Sequence, residues 1–264
     1  MTAMAAEVTK FHTRLLKCDL CVDECRAYWS YASQDGFKAN PETAFADYWF
    51  GARSLPRVRM LLATLRERFD AWPEALKVLA GWHSMSVATR RTICHWHLQL
   101  ADPLYRKFTG EYLPQRRDGG KSDVRRTLVV QWVDQIIPGR WQITTRIQFA
   151  RKLIHSAEQA GLLSTSGDKT EFQTARIDDN CLTYLFYLLR ETLFEGTLLN
   201  NPYLTSTGLD ADDIVNRLRR LPAIGLQRQG SLTEFNWQYD SLFEWATETG
   251  LLTSDSSART GEVA

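Results

Sequence analysis

The stretch WQITTRIQFARKLIHSAEQAGLLSTSGDKTEFQTARI, residues 141–177, carries the most information about the fold. Thr144 or Thr145 is a favourable N-cap, because a threonine hydroxyl can accept a hydrogen bond from the free amides of a first helical turn. The apolar spacing that follows predicts a helix to about Ala160, with a buried face formed by Ile147, Ala150, Ile154 and Ala157. Gly161 is expected to end this helix, since glycine tolerates the left-handed conformation common at that position.

Residues 162–177 predict a β-hairpin, because polar and apolar residues alternate and residues 166–168, Ser-Gly-Asp, favour a turn. A preceding helix is expected to start at Ser122 as N-cap and to run through Ile136. Pro138 and the glycine after it end that helix. Helix, turn, helix and two-stranded hairpin, in this order, predict a winged-helix-like module.

Helices dominate the prediction for the rest of the chain. Residues 2–31 are predicted as a single helix, because apolar residues recur at spacings of three and four: Leu15, Cys18, Val22, Cys25 and Trp29. Further helices are predicted after Ser54 and over 73–81, 86–100, 102–113, 178–195, 210–221 and 240–249, with a second hairpin over 224–239. The predicted fold class is therefore mainly α, a compact helical protein with one or two short β-hairpins.

Composition along the chain indicates two domains and a tail. The loop PQRRDGGK at the end of residues 1–121 closes an N-terminal helical domain. Residues 122–250 are expected to form a winged-helix-like and C-terminal helical domain. The polar residues 251–264 are expected to form a flexible tail.

Charge is segregated along the sequence, although the net charge is only +1. Residues 48–156 contain 19 Lys and Arg against 8 Asp and Glu, whereas residues 157–264 contain 8 against 16. Such a basic region indicates a polyanionic partner, and nucleic acid is the leading candidate. The alternative is that these side chains only keep helix faces in contact with water.

The second helix of the winged-helix-like module lies where a recognition helix would enter the major groove. Threonine hydroxyls and helix N-terminal amides bind phosphate, while arginine and glutamine reach base edges. The candidate DNA-binding residues are Arg53, Arg57, Arg59, Arg116, Arg117, Lys121, Arg125, Arg126, Arg140, Thr144, Thr145, Arg146, Gln148, Arg151, Lys152 and Lys169.

The sequence contains no signature of an enzyme or a metal site. It has no G-x-S-x-G, H-E-x-x-H, phosphate-loop or G-x-G-x-x-G motif. Cys18, Cys21 and Cys25 lie on one apolar stripe, which favours packing over a zinc site. His95 and His97 are two residues apart and point to different helix faces, so packing is again favoured. We therefore expect no catalytic residues, no metal and no cofactor.

The cysteine count and the apolar runs indicate a cytoplasmic protein. Five cysteines, an odd number without an export signal, favour a reducing compartment. The longest apolar run, CLTYLFYLL at 181–189, is far shorter than the ~18 residues needed to span a bilayer. We therefore expect no membrane association.

Four stretches together resemble the BrxA family, a component of BREX (bacteriophage exclusion) defence loci. They are ARSLPRVRMLLATLRERF, ADPLYRKFTGEYL, WQITTRIQFARKLIHSAEQAGLL and DDNCLTYLFYLL. The similarity extends over most of residues 45–250. It is carried by Ser54, Arg57, Leu65, Arg68, Phe69, Asp102, Pro103, Phe108, Trp141, Thr145, Gly161 and Leu162.

The resemblance implies a largely helical protein with a part similar to the NusB antitermination fold. It also implies double-stranded DNA binding without enzymatic activity. The implied BREX partners include a methyltransferase, an ATPase and a phosphatase-like protein. Two alternatives remain open, namely a scaffold or adaptor subunit that docks a BREX partner, and an RNA-binding protein by analogy with NusB.

Overall fold

Helices form most of the protein and its strands are short, as the sequence predicts. The computed structural model describes residues 4–32, 40–121, 123–167, 169–209, 211–229 and 232–252. The first elements are β1 (Ala5–Ala6), α1 (Arg14–Lys17), α2 (Val22–Ala32), α3 (Pro41–Ala46), α4 (Leu55–Phe69), α5 (Pro73–Gly81), α6 (Val87–Ala101), α7 (Pro103–Lys107) and α8 (Leu113–Asp118). The others are α9 (Arg126–Ile136), α10 (Ile143–Gln159), β2 (Leu163–Ser166), β3 (Lys169–Phe172), α11 (Asp179–Arg190), β4 (Thr192–Leu193), α12 (Pro202–Thr205), α13 (Ala211–Leu218), β5 (Ile224–Gln229), β6 (Leu232–Trp237) and α14 (Leu242–Glu248).

Local sequence signals set where many of these helices begin. Asn40 and Asp102 each accept hydrogen bonds from two backbone amides, at the starts of α3 and α7. Ser86 and Asp178 cap α6 and α11 in the same way, through one amide each. Prolines occupy the first turns of α3, α4, α5, α7 and α12, where the missing N–H has no helical partner to lose.

The core is centred on α6 and α11. Residues 92–101 of α6 and residues 181–189 of α11 are all buried. Helix α6 contacts α2, α4, α7, α10 and α11. A helix that is surrounded on every side has no solvent face, which explains why its sequence lacks a clear polar stripe.

The described part of the chain contains three small two-stranded sheets, which connect segments between the helices. β1 pairs in parallel with β4, and β5 pairs antiparallel with β6 as predicted. β2 and β3 form the other predicted hairpin, with Ser166 opposite Lys169. The segment before α9 lies along the free edge of β3, where the Val124 amide donates to the Thr170 carbonyl at 2.9 Å.

The prediction of a single helix over residues 2–31 is wrong. Helix α1 ends at Lys17, Cys18 is extended, and Cys21 adopts a left-handed conformation with φ 52° before α2 begins. The cause is Arg68, whose guanidinium donates hydrogen bonds to the carbonyls of residues 18–20. In a continuous helix these carbonyls would accept from backbone amides instead. Arg68 itself is buried, with 2% of its surface exposed.

Several predicted boundaries also shift. The helix predicted over 102–113 contains a π-helical turn at Phe108–Tyr112, and the helix predicted to reach 195 ends at Arg190. Ser122 lies outside the described residues, and α9 begins at Arg126. Asp168 and residues 253–264 of the expected tail also lie outside them. None of the helices in the described ranges is long and apolar enough to cross a membrane.

Candidate nucleic-acid interface

Helix α10 has one buried and one exposed face. The buried face packs against α9, α6 and β2 and consists of Phe149, Ala150, Leu153 and Ala157. The exposed face has polar side chains three or four residues apart, at Thr144, Gln148, Arg151 and His155. This periodicity aligns the four side chains along one side of the helix.

Two expectations about α10 are wrong. Its N-cap is Gln142, whose side chain makes no capping hydrogen bond, so neither Thr144 nor Thr145 caps the helix. Both threonines instead lie inside the first turn, because the Gln142 carbonyl already accepts from the Arg146 amide at 3.1 Å. Ile147, expected on the buried face, is 40% exposed.

The β2–β3 hairpin lies beside the C-terminal half of α10. Gly161 ends the helix as predicted, with φ 78°, and lets the Leu162 amide donate to the Ala157 carbonyl. The Thr165 hydroxyl of β2 donates to the Glu158 carboxylate of α10. Lys169 is exposed at the start of β3, next to the turn.

An open groove of about 970 Å³ runs between α10, the β2–β3 hairpin, α1 and the start of α9. We call it the basic groove. Its cationic lining residues are Arg125, Arg126, Arg151 and Lys152, and Gln148 and His155 lie among them. The structure thus brings together five predicted DNA-binding residues from two separate parts of the chain.

The charges in the basic groove are unevenly balanced. Arg126 and Arg151 are exposed and form no ion pair with any residue that the structure describes. Arg125 pairs with Asp123, at 2.8 Å between Nε and Oδ2. Among the residues that the structure describes, Glu158 is the single carboxylate that lines the groove. The groove therefore keeps a net positive charge.

Lys152 is the groove cation that pairs with a carboxylate of the N-terminal segment, Asp19. Its Nζ donates to Asp19 Oδ2 at 2.8 Å, and His155 Nε2 lies 3.8 Å from the same oxygen. Burial raises the pKa of the Asp19 carboxyl, but the hydrogen bond and charge of Lys152 outweigh it and hold that pKa below its usual range. Asp19 is therefore anionic and partly neutralises Lys152.

The predicted residues on α4 and just before it lie apart from the lining of the groove. Arg53 pairs with Glu24 at 3.7 Å, and Arg59 pairs with Glu42 at 2.6 Å. The Arg57 guanidinium donates to the carbonyl of Lys17, at the end of α1. Carboxylates and a carbonyl from the first 47 residues thus engage all three arginines.

Arg116 and Arg117 follow a similar pattern on α8. Arg116 donates to the Asp123 carbonyl through two nitrogens, at 3.2 and 2.8 Å, and its guanidinium lies over the Tyr112 ring. This arginine holds the segment before α9 in place. Arg117 pairs with the neighbouring Asp118. The loop predicted over 114–121 is therefore wrong as far as Asp118, and Lys121, three residues beyond the end of α8, is exposed.

Arg140 and Arg146 contribute to the structure around the turn between α9 and α10. The Arg140 guanidinium donates to the Phe11 carbonyl at 3.0 Å and lies over the Trp141 ring. Arg146 pairs with Asp134 of α9 at 2.5 Å, and its side chain is 22% exposed. Arg146 therefore joins two helices rather than facing the groove as a free cation.

The sequence reasoning missed His155, which lines the groove, and Asp19, which lies beside it. His155 continues the exposed spacing of Gln148 and Arg151, so the 3.6-residue period would have identified it. Asp19 carries no such signal, because its contact with Lys152 joins residues 133 positions apart.

The buried histidines of α6 are engaged in hydrogen bonds inside the core. The ring nitrogens of His95 lie within 2.9 Å of the Tyr105 and Ser206 hydroxyls. Those of His97 lie within 3.1 Å of the Arg68 carbonyl and the Tyr184 hydroxyl. Within the described part of the chain, no group of three or more His, Cys, Asp or Glu is arranged to hold a metal ion.

Comparison with known proteins informs the fold but not the activity. No protein-family model matches the chain, and no curated protein is significantly similar to it in sequence. The crystal structure of an uncharacterized protein from Magnetospirillum magneticum resembles it with a TM-score of 0.54 and 14% sequence identity. The match covers 69% of this chain and 98% of the other. At this level of identity the likeness concerns the fold alone.

Proposed function

We propose that the protein binds double-stranded DNA, without enzymatic activity, through the basic groove. The main support for this proposal is that four cations from α10 and the start of α9 line one open surface, namely Arg125, Arg126, Arg151 and Lys152. Arg126 and Arg151 are free to contact phosphates, because no described residue pairs with them. Neutralising backbone phosphates supplies most of the affinity of non-specific DNA binding.

The exposed face of α10 supports insertion into a major groove, which is wide enough for one α-helix. The amides of residues 143–145 lie in the first turn, where they have no acceptor within the helix. Together with the exposed Thr144 hydroxyl they would bind a backbone phosphate. Gln148, one turn further on, would reach a base edge.

The order of elements supports the winged-helix interpretation. Helices α9 and α10 are followed directly by the β2–β3 hairpin, and the segment at Asp123 lies along the free edge of β3. In such a module the hairpin is the wing and α10 is the recognition helix. Lys169, exposed beside the turn of the hairpin, would then contact the DNA backbone next to the groove.

The resemblance to the BrxA family supports a role for this DNA binding in a BREX phage-defence system, in the cytoplasm, with a NusB-like helical part. On this proposal the methyltransferase, ATPase and phosphatase-like protein of the locus are the partners. Pull-down of the full chain from its native host tests the assignment. Co-purification of these partners is expected, and their absence from a complex that retains DNA would contradict it.

Binding to a labelled duplex at several salt concentrations tests the DNA proposal. If the four groove cations each neutralise a phosphate, log K should fall with log salt at a slope of about −3 to −4. An excess of structured RNA should compete less well than unlabelled duplex. Absence of binding at low salt, with the protein folded, would contradict the proposal, and stronger competition by RNA would favour the RNA-binding alternative.

A further inference from the structure

The loop between α1 and α2 holds two cysteine thiols in contact. The Sγ atoms of Cys18 and Cys21 lie 2.6 Å apart, and all five cysteines of the chain are free. The left-handed conformation of Cys21 turns its side chain back toward Cys18. Cys21 immediately precedes the eleven-residue helix α2, so the pair has the C-x-x-C spacing at a helix N-terminus.

A buried arginine accompanies this pair. Arg68 donates to the carbonyls of Cys18, Asp19 and Leu20, at 2.8, 2.5 and 3.0 Å. Its Nη2 also lies 3.7 Å from Cys18 Sγ. The guanidinium forms no ion pair with a carboxylate among the described residues. A buried cation without a carboxylate partner favours a negative charge on the nearest thiol.

The two thiols are chemically unequal. The hydrogen bond between Cys18 and Cys21 lowers the pKa of the Cys18 thiol to about 7 against the effect of burial, and Arg68 lowers it further. The same hydrogen bond, together with burial, raises the pKa of Cys21. Cys18 is therefore the more acidic of the two thiols. This division is typical of a reactive dithiol.

We propose that Cys18 and Cys21 form a redox-active dithiol, which small hydroperoxides oxidise to an internal disulfide. The Cys18 thiolate attacks a peroxide oxygen of hydrogen peroxide, giving a sulfenic acid and releasing hydroxide. The Cys21 sulfur then attacks the Cys18 sulfur, and the sulfenic oxygen leaves as water with the Cys21 proton. The two thiols lose two electrons, which reduce one molecule of hydrogen peroxide to hydroxide and water.

Burial determines which cysteines react with the hydroperoxide. Cys21 keeps 8% of its surface exposed and Cys18 keeps 1%, so a small hydroperoxide would reach Cys18 past the Cys21 side chain, whereas Cys25, Cys94 and Cys181 are fully buried. Burial also raises the pKa of Cys25 and Cys181 well above its usual range. The Cys18–Cys21 pair should therefore react while the other three thiols stay reduced.

Treatment of the native full-length protein with hydrogen peroxide tests the proposal. After denaturation and alkylation, mass spectrometry should find three alkylated thiols instead of five, with a mass loss of about 2 Da before alkylation. Tandem fragmentation of the peptide spanning residues 18–26 should place the bond between Cys18 and Cys21. Reduction with a dithiol should restore five thiols.

Matched variants complete the experiment. Cys25→Ser and Cys181→Ser should still lose two thiols, whereas Cys18→Ser and Cys21→Ser should not form an internal disulfide. Five free thiols in the treated wild-type protein would overturn the proposal. So would a disulfide that includes Cys25, or accumulation of sulfinic acid on Cys18. The wild-type result decides the question even where a variant fails to fold.

Discussion

Lys152 Nζ donates to Asp19 Oδ2 at 2.8 Å, so the loop between α1 and α2 places a carboxylate beside the basic groove. Cys21 Sγ contacts the other oxygen of the same carboxylate, at 3.4 Å. Asp19 therefore lies between the dithiol and the groove. In the protein without DNA, Asp19 pairs with Lys152, which is one of the four cations that we assign to DNA binding.

Replacing Asp19→Asn is expected to strengthen duplex binding. The change removes one negative charge near the groove and leaves Lys152 free to contact a phosphate, which together should tighten binding roughly threefold to tenfold at low salt. The gain should shrink as salt screens the charges. Fluorescence anisotropy with a labelled duplex measures the effect.

The control for this prediction is Asp240→Asn, which makes the same charge change at an exposed residue that does not line the groove. It should alter the affinity much less. Equal affinities for wild type and Asp19→Asn would show that Lys152 does not contact DNA.

The stability of the protein is expected to fall in mild acid because of buried histidines. Burial lowers the pKa of His97 from 6.5 to about 4, so the unfolded chain binds a proton that the folded protein excludes. Stability is full above the unfolded pKa and is lost as pH falls toward the folded pKa. From about pH 7 to pH 5 this residue alone should cost roughly 2 kcal/mol in the free energy of unfolding.

Urea unfolding of wild type and His97→Gln at both pH values measures this contribution. The variant should have a smaller pH dependence, because glutamine does not titrate. Gln148→Asn, a change at an exposed residue that does not titrate, is the control and should keep the wild-type dependence. An unchanged pH dependence in His97→Gln would contradict the assignment.

Gly110, in the π-helical turn, is expected to tolerate no side chain. An added Cβ would lie 2.9 Å from Pro202 Cα, in the backbone of α12. Gly110→Ala should therefore destabilise the protein by about 1–3 kcal/mol through overpacking. Gly81→Ala is the control, because its Cβ meets the flexible end of Leu252 at 2.9 Å and should cost less. Thermal unfolding compares the two, and equal melting temperatures would contradict the close approach.

The elements around α10 could be predicted because their signals are local. Gly161 ends the helix, Gly167 supplies a positive φ in the hairpin turn, and Pro138 separates α9 from α10. Each signal acts within a few residues. The cationic side of α10 could be predicted for the same reason, since the period of a helix fixes which side chains share a face.

The N-terminal segment could not be predicted, because a distant residue determines it. Leu15 in α1, Cys18 in the loop and Cys25 in α2 are all buried. One continuous helix would bury the same three residues, so their spacing does not distinguish the two arrangements. Arg68, about 50 residues further on, selects the broken form by binding the loop carbonyls. The sequence also does not reveal that Asp134 pairs with Arg146, which makes Arg146 a poor probe of DNA contacts.

The most direct measurement of the central claim is duplex binding by the double variant Arg126→Glu with Arg151→Glu. Both side chains are exposed and pair with no described residue, so the melting temperature should stay within a few degrees of wild type. The control is Arg219→Glu with Arg220→Glu, which makes the same charge change at two exposed residues away from the groove. We expect the groove variant to bind at least tenfold more weakly, with a salt slope reduced by about 2, and the control to bind nearly as wild type. Equal loss in both variants, or no loss in the groove variant, would contradict the assignment of the basic groove as the DNA-binding surface.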